Sequence, residues 1–362
     1  MMKVAYLLGS LNRGGAENLI LDIFQNAGAA KYDFIGIYRK KGGLLLYFQH
    51  SEKKFINCAV SQKNIIGYLF RLRRILINNK ITIVHAQQST DALLAYIASI
   101  GTGIKVVLTV HGFDFGLKTS MKIIKKLSFH ISDQICLVSN YQYEYYKKQY
   151  NSIASKRCSV LYNGINFNKI PYNIPHQRSN RIQLGTVGSF RPGRDQFFIC
   201  KFLHNLKRQG IEFDFIFIGS KDTTNPSRYD DCVNYCNTND LESNVHFLGC
   251  REDVPQLLSS LDAFIYCSEH DTFGIAVIEA ISSGVPVFVN DWGVMSEITE
   301  DGRLATVYKT GSTEDLYEKF SCFIRNKEPF RDKANESARY VREKYSIETH
   351  MNNLFDIYSK VL

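Results

Sequence analysis

Two acidic side chains, Asp271 and Glu279, flank a small apolar run with an embedded glycine in the stretch DTFGIAVIE. A strand-like segment, DAFIYCS, ends in the polar loop Glu269-His270-Asp271-Thr272, and helical spacing begins near Phe273 or Gly274. Free backbone amides in the first turn of a helix that follows a strand, reinforced by the helix dipole, suit an anion such as a diphosphate. Gly274 lets that backbone come close to a ligand. Asp271 precedes the helix, and Glu279, two turns in, can return to the same cleft. The spacing alone also fits a plainer arrangement, with Asp271 or Thr272 as an N-cap and Glu279 as a solvated helix residue.

The elements that must position these residues are legible as alternating runs. Short β-branched or aromatic segments (KVAYLL, FIGIY, KFINC, ITIVHA, KVVLTVH, QICLVS, SVLYN) alternate with helix-length segments, and a second series (IQLGTVG, FDFIFIG, VHFLG, DAFIYCS, VPVFVN) begins at Ile182. Such alternation, twice over, predicts an α/β chain of two Rossmann-like, doubly wound parallel sheets. Polar NFNKIPYNIPHQRSNR, with Pro171 and Pro175, lies between them and reads as a linker. The expected domains are therefore 1–170 and 182–340, joined by a linker over 171–181, with a C-terminal helix over 341–362 that can pack back on the first domain. Ligands of open α/β sheets bind beyond the carboxyl ends of the strands, so a cleft between two such domains is the expected site.

At 362 residues, 45% hydrophobic and 22% charged, the chain suits two soluble globular domains. Nine cysteines without a C-x-x-C argue for reduced thiols in a cytoplasmic protein and against a disulfide framework or a zinc site. Lys3 precedes too short an apolar run for a secretory signal, and no stretch of about 18 apolar residues occurs. Charge divides unevenly: residues 1–170 carry 23 Lys and Arg against 8 Asp and Glu, net +15, and the remainder 21 against 27, net −6. LKTSMKIIKKL puts Lys118, Lys122, Lys125 and Lys126 on one helix face, and GYLFRLRR sets Arg71, Arg73 and Arg74 beside Tyr68 and Phe70. Either set alone fits a solvated face, but the asymmetry suits an anionic membrane surface or a phosphate-bearing acceptor. No pattern of a nucleic-acid-binding fold accompanies the charge.

DTFGIAVIEAISSGVPVFV resembles the acidic-x7-Glu signature of retaining glycosyltransferases of family 4, which have the two-domain GT-B fold. In the order of that family come GSLNRGGAE, TVHGFD, LYNGIN, GTVGSFRPGRDQ and FLGCREDVPQLLSSLDAFIYCS, across nearly the whole chain. The resemblance implies that Glu279 takes the ribose hydroxyls of a nucleotide-sugar and that Asp271, where the family usually has glutamate, contacts donor-sugar hydroxyls. It implies that the amides of Phe273, Gly274 and Ile275 help to hold diphosphate and sugar, and that Arg194 neutralises the diphosphate leaving group. Ser189 stands where the family commonly has an arginine, a lost charge that Arg191 can replace. His111 is implied near the C6 hydroxyl of the donor sugar, Arg251 beside the base, and Gly14 and Gly15 in a loop near the leaving phosphate or acceptor, with Glu17 capping the next helix. As plain sequence features, His111 is equally a satisfied buried imidazole, Arg251 a surface arginine and RGGAE an ordinary helix start. Asn166, where the family has Asp, is read as structural.

The reaction so implied is displacement at an anomeric carbon with departure of a nucleoside diphosphate, accelerated by positioning and by charge stabilisation of the leaving group. With no D-x-D motif at a strand end, helix amides and Arg194 would replace a divalent ion, so neither metal nor cofactor is expected. A UDP-sugar donor, retention of configuration, a lipid-linked glycan acceptor and a peripheral place on the inner face of the plasma membrane complete the expectation. A nicotinamide-dependent oxidoreductase fits less well, because GSLNRGG is not G-x-G-x-x-G and the second strand ends in Tyr38-Arg39-Lys40 without an acidic ribose ligand. A nucleotide-sugar isomerase or a non-catalytic binder on the same fold stays open.

Overall fold

A computed structural model of the chain describes residues 2–12, 14–26, 32–51, 53–59, 64–150, 157–172 and 180–362. The chain divides into two compact units, Met1–Ile165 with Ile347–Leu362, and Asn166–Ser346. The expected linker lies partly outside the described residues, at 173–179 and so including Pro175. Pro171 and Tyr172 belong to the second unit, where the Pro171 carbonyl accepts from Ser259 Oγ at 3.4 Å and the Tyr172 hydroxyl donates to the Asn335 carbonyl at 3.2 Å.

The first unit is built on seven strands, β1 (Met2–Ser10), β2 (Tyr32–Lys40), β3 (Lys54–Asn57), β4 (Ile83–Ala86), β5 (Lys105–Val110), β6 (Gln134–Leu137) and β7 (Cys158–Val160). They lie in the order 3-2-1-4-5-6-7, and every pairing is parallel. Parallel strands need crossovers, supplied here by α1 (Gly15–Asn26), α2 (Leu45–Gln49), α3 (Ile65–Asn78), α4 (Ser89–Ser99), α5 (Thr119–Ile131) and α6 (Asn140–Gln149). Because helices cover both faces, an inner strand such as β4 is buried at all four positions and does not alternate, its one polar residue, His85, being hydrogen-bonded to Tyr358 and Thr109 at 2.7 Å each. On α3, Tyr68, Leu72 and Leu76 recur at helical spacing and are fully buried, each contributing about 1.5–3 kcal/mol of burial.

The second unit has six strands, β8 (Ile182–Val187), β9 (Phe213–Ile218), β10 (Val245–Gly249), β11 (Ala263–Tyr266), β12 (Val287–Asn290) and β13 (Thr306–Tyr308). Their order is 10-9-8-11-12-13, again parallel throughout. The helices are α7 (Gln196–Arg208), α8 (Ser227–Thr238), α9 (Val254–Ser259), α10 (Ile275–Ser282), α11 (Gly293–Ile298), α12 (Thr313–Arg325) and α13 (Glu328–Lys344). The last helix, α14 (Ile347–Val361), belongs to the first unit, where Met351, Leu354, Ile357 and Tyr358 join one core with Tyr6, Phe24 and Phe34. β13 was not anticipated: three residues of ATVYKT give too little pattern to separate a strand from a loop.

Each sheet winds outward in two directions from a central pair. In the first unit the order reverses between β1 and β4, and in the second between β8 and β11. The crevice at such a reversal, beyond the carboxyl ends of the two strands, is where open α/β sheets bind ligands.

Candidate active site

In the second unit, the loops leaving β8 and β11 carry the predicted acidic and basic residues, and the backbone ties them together. Arg194 and Ser268 form an isolated antiparallel bridge, Glu269 N donates to the Gly193 carbonyl at 2.9 Å, and Ser268 Oγ donates to the same carbonyl at 3.0 Å. Gly193 has φ +89°, and a Cβ there would fall 2.4 Å from the Cβ of His270, so only glycine allows the two loops to close on each other. Asn290, fully buried at the end of β12, holds the β11 loop from the other side. It accepts from Ser268 N at 3.0 Å and donates to the Ser268 carbonyl at 2.9 Å.

This zipper brings Arg194 to Asp271. Arg194 Nη2 lies 3.6 Å from Asp271 Oδ1, with side chains only 15% and 10% exposed. The guanidinium also sits over the Tyr266 ring, 5.6 Å from its centroid, and Nη1 donates to the Val187 carbonyl at 3.4 Å. The Tyr266 hydroxyl donates to Asp271 Oδ2, and Trp292 Nε1 donates to the Asp271 carbonyl at 3.2 Å. Burial works against the Arg194 charge, but the Tyr266 phenol and the Asp271 carboxylate outweigh it and raise the guanidinium above its ordinary value. Burial likewise pushes the Tyr266 phenol well up, so it is a neutral donor. Asp271 is thus neither an N-cap nor a solvated residue: it stands three positions before the cap, nearly buried, between a phenol and a cation.

The helix after it starts later than the spacing suggests. α10 begins at Ile275, and Gly274 is its cap, in the left-handed conformation with φ 84° and ψ 50°. A Cβ at Gly274 would meet Ile298 and Met295 at 2.9 Å, so space and backbone both require glycine. Of the three predicted amide donors, Phe273 and Gly274 therefore precede the helix, and Ile275 is its first residue. Phe273 is buried, its ring edge-on to Tyr345 at 5.5 Å, which fixes the turn from below. Glu279 shares the half-buried side of α10 with Ile275, one turn earlier, while Ala276, Val277, Ile278 and Ala280 are buried.

The remaining predicted residues of the second unit are more open. Ser189 is half-buried and its carbonyl accepts from Gln196 Nε2 at 3.2 Å. Arg191 is exposed on the same loop as Arg194, and its charge acts on Asp222 and Tyr266. Arg251 is exposed and makes a fork-to-carboxylate pair with Asp253, Nε to Oδ1 at 2.8 Å and Nη2 to Oδ2 at 2.6 Å. Asn166 caps a single 3-10 turn by accepting from Asn168 N at 3.2 Å.

In the first unit, His111 leaves β5 half-buried, with Nε2 2.7 Å from Gln87 Oε1. Burial, together with the nearby His350, pushes its imidazole down to about 4, so it is neutral at physiological pH. The next carbonyl, that of Gly112, accepts from the Tyr146 hydroxyl at 2.7 Å and from Lys125 Nζ at 3.3 Å. Gly14 and Gly15 open α1, and the Glu17 carboxylate folds back over Gly14, where a Cβ would lie 2.4 Å from Oε2.

Lys125 requires a correction. The spacing set it on one charged face with Lys118, Lys122 and Lys126, but it is buried and bonds Tyr146 Oη at 2.6 Å, and burial lowers its ammonium to about 8. The face that α5 does expose carries Lys118, Lys122 and Lys126 with Met121, Ile123 and Leu127. On α3, Ile66 and Phe70 are exposed beside the arginine cluster, in which Arg73 donates to the Ala98 and Ile100 carbonyls and Arg71 to that of Ala59. Among the described residues, no helix is long and apolar enough to cross a membrane, and no group of three or more His, Cys, Asp or Glu could hold a metal ion.

Comparison with known proteins gives this arrangement its family. The family model of Glycosyl transferases group 1 matches residues 173–341, and that of Glycosyltransferase Family 4 matches residues 13–169. The chain is 24% identical over 317 residues to the UDP-Gal:α-D-GlcNAc-diphosphoundecaprenol α-1,3-galactosyltransferase of Escherichia coli, covering 80% of this chain and 79% of that one. It is 20% identical over 292 residues to a Campylobacter jejuni α-1,4-N-acetyl-D-galactosaminyltransferase acting on a diphosphoundecaprenol-linked glycan, covering 78% and 77%. Among solved structures, HepE of Anabaena in complex with UDP and glucose superposes with a TM-score of 0.86 at 16% identity, covering 99% of this chain and 100% of that one. With the two family models in register along one GT-B fold, the chain belongs to the group 1 glycosyltransferases of family 4 and is a glycosyltransferase of the hexosyl-transferring class.

Proposed function

We propose that the protein moves a hexose or N-acetylhexosamine from a UDP-sugar to a lipid-linked glycan, with retention of anomeric configuration, in the building of a cell-surface polysaccharide. The observation that carries this reading is the placement of Arg194 at the β8/β11 reversal, next to the turn that opens α10. A cation paired there with Asp271, and the amides of Phe273 to Ile275 just after Asp271 in the chain, suit the two charges of a departing nucleoside diphosphate. Glu279, on α10 behind that turn, has the two acceptor oxygens that a pair of vicinal ribose hydroxyls needs. UDP as the nucleotide is supported by HepE, solved with UDP, and a lipid diphosphate acceptor by the named substrates of the two bacterial relatives.

The same reading makes the reaction independent of metal, since the guanidinium and backbone donors supply the positive charge that a divalent ion would otherwise bring. It also places the protein peripherally on the cytoplasmic face of the membrane. The exposed face of α5, where Met121, Ile123 and Leu127 alternate with Lys118, Lys122 and Lys126, suits shallow insertion among anionic headgroups. The decisive experiment incubates the protein with UDP-glucose, UDP-galactose and their N-acetylated counterparts and a short-chain polyprenyl diphosphate-linked sugar. Proton NMR of the product then reads the anomeric configuration. Release of UDP only when acceptor is present, with the α-linkage kept, supports the proposal. Epimerised donor without UDP release, or no turnover of any UDP-sugar, refutes it.

A further inference from the structure

Asp271 is nearly buried at the end of the β11 loop, and the structure shows what holds its carboxylate. Tyr266, at the end of β11 and 2% exposed, points its hydroxyl at Asp271 Oδ2 while Arg194 faces Oδ1 at 3.6 Å. Oδ2 is therefore hydrogen-bonded inside the protein, while Oδ1 is ion-paired with the guanidinium beyond hydrogen-bond distance. The Tyr266 ring also forms the floor under the guanidinium, so one side chain touches both members of the ion pair. Arg194 is held on a third side by the Val187 carbonyl, and its Nε is buried with no hydrogen-bond partner.

We infer that Tyr266 is a positioning residue that holds Asp271 beside Arg194, the three side chains forming one unit that fixes the cation for the diphosphate. This rests on the reading of Arg194 as the diphosphate ligand. An arginine held by a carboxylate, an aromatic face and a backbone carbonyl loses less conformational freedom when a diphosphate arrives. A phenol here also explains why aspartate is tolerated. Glutamate at 271 would drive its extra methylene toward the Tyr266 hydroxyl, and phenylalanine at 266 would leave an aspartate short of its donor.

The test is a double-variant cycle on UDP affinity by calorimetry. Tyr266→Phe and Asp271→Glu should each weaken UDP binding by about tenfold, and the double variant should bind within about threefold of wild type, because the longer acid fills the space of the lost hydroxyl. Multiplying losses in the double variant, or unchanged binding by Tyr266→Phe, would overturn the inference, since a merely structural tyrosine predicts no rescue. A ligand-free readout separates this inference from the proposed donor. In ¹⁵N-arginine-labelled protein the Arg194 Nε–H should exchange slowly, and at least tenfold faster in Tyr266→Phe. If wild type binds no UDP, the donor assignment falls while the exchange still decides the role of Tyr266; equal exchange in both proteins would reject that role.

Discussion

Gly188 offers a way to displace Arg194 without touching it. A Cβ at position 188 would lie 1.8 Å from Arg194 Nη1, 3.0 Å from its Cζ and 3.2 Å from its Cδ. Gly188 has no left-handed backbone, so alanine meets no conformational strain there, and the atoms it strikes are the far end of a flexible side chain. The guanidinium must therefore yield while the loop stays. Gly188→Ala should cost the fold only about 1 kcal/mol, a shift in Tm of roughly 2–4 °C for a unit of this size. If Arg194 makes charge-assisted hydrogen bonds to the diphosphate, worth about 1.5–3 kcal/mol, UDP affinity should fall by about 10- to 150-fold. Titration calorimetry reads the affinity and a thermal melt the fold. Arg194→Ala should lose about as much, and the double variant no more than either single one, because both remove the same interaction. Wild-type affinity in a Gly188→Ala protein that melts normally would show that Arg194 does not bind the nucleotide.

Glu279→Ala should weaken UDP by about 1.5–3 kcal/mol without altering affinity for inorganic diphosphate, since only the nucleotide carries ribose; equal affinity for UDP in variant and wild type would remove Glu279 from the site. Transfer should persist in excess EDTA, and a loss restored by Mg²⁺ or Mn²⁺ would demand a metal site. Lys118→Gln, Lys122→Gln and Lys126→Gln together should weaken co-sedimentation with anionic vesicles by about 1 kcal/mol per residue, whereas Lys125→Gln should lower Tm instead, its amine being tied to Tyr146. Unchanged vesicle binding by the triple variant would move the contact to α3. His85, His111 and His350 are held down by burial to about 3, about 4 and about 4, so the unfolded chain takes up their protons first as pH falls, and their stabilisation is full above about 6.5 and lost below it. Asp91, pushed up to about 6 by burial, opposes them because its native carboxyl is protonated first. The net expectation is a loss of about 4 kcal/mol between pH 7 and pH 5 in urea melts, and equal stability at both would contradict it.

The sheets were legible because burial on both faces writes strands as continuous apolar runs. β11 is such a strand, β4 and β12 are buried throughout with one hydrogen-bonded polar residue each, His85 and Asn290, and the alternation with helices set the parallel winding. What the spacing could not encode was depth. On α5 a run of lysines has a helical period, but Lys125 turns inward because Tyr146 on α6 and the Gly112 carbonyl offer it partners, and those partners are distant in sequence. Lys118, Lys122 and Lys126 have no such call inward and stay exposed.

The site divides along the same line. A motif names residues that are near one another in the chain, and so Asp271, Gly274 and Glu279 were visible, as was Arg194 on its own loop. Their relation to each other is set by residues that carry no motif. Asn290 comes from β12, Gly193 from the loop of β8, and Tyr266 from inside a strand, where a buried aromatic is ordinarily core. The signal that could have found Tyr266 is chemical: a phenol at the end of a buried strand needs a partner for its hydroxyl, and the polar loop that follows holds one within five residues. That partner, Asp271, is also the first acid of the motif that drew attention in the sequence. The shortened acid at 271 looked in the sequence like a weakened ligand. On the inference drawn above, Tyr266 beneath it makes it half of a device whose other half is Arg194, because the phenol touches both members of the ion pair.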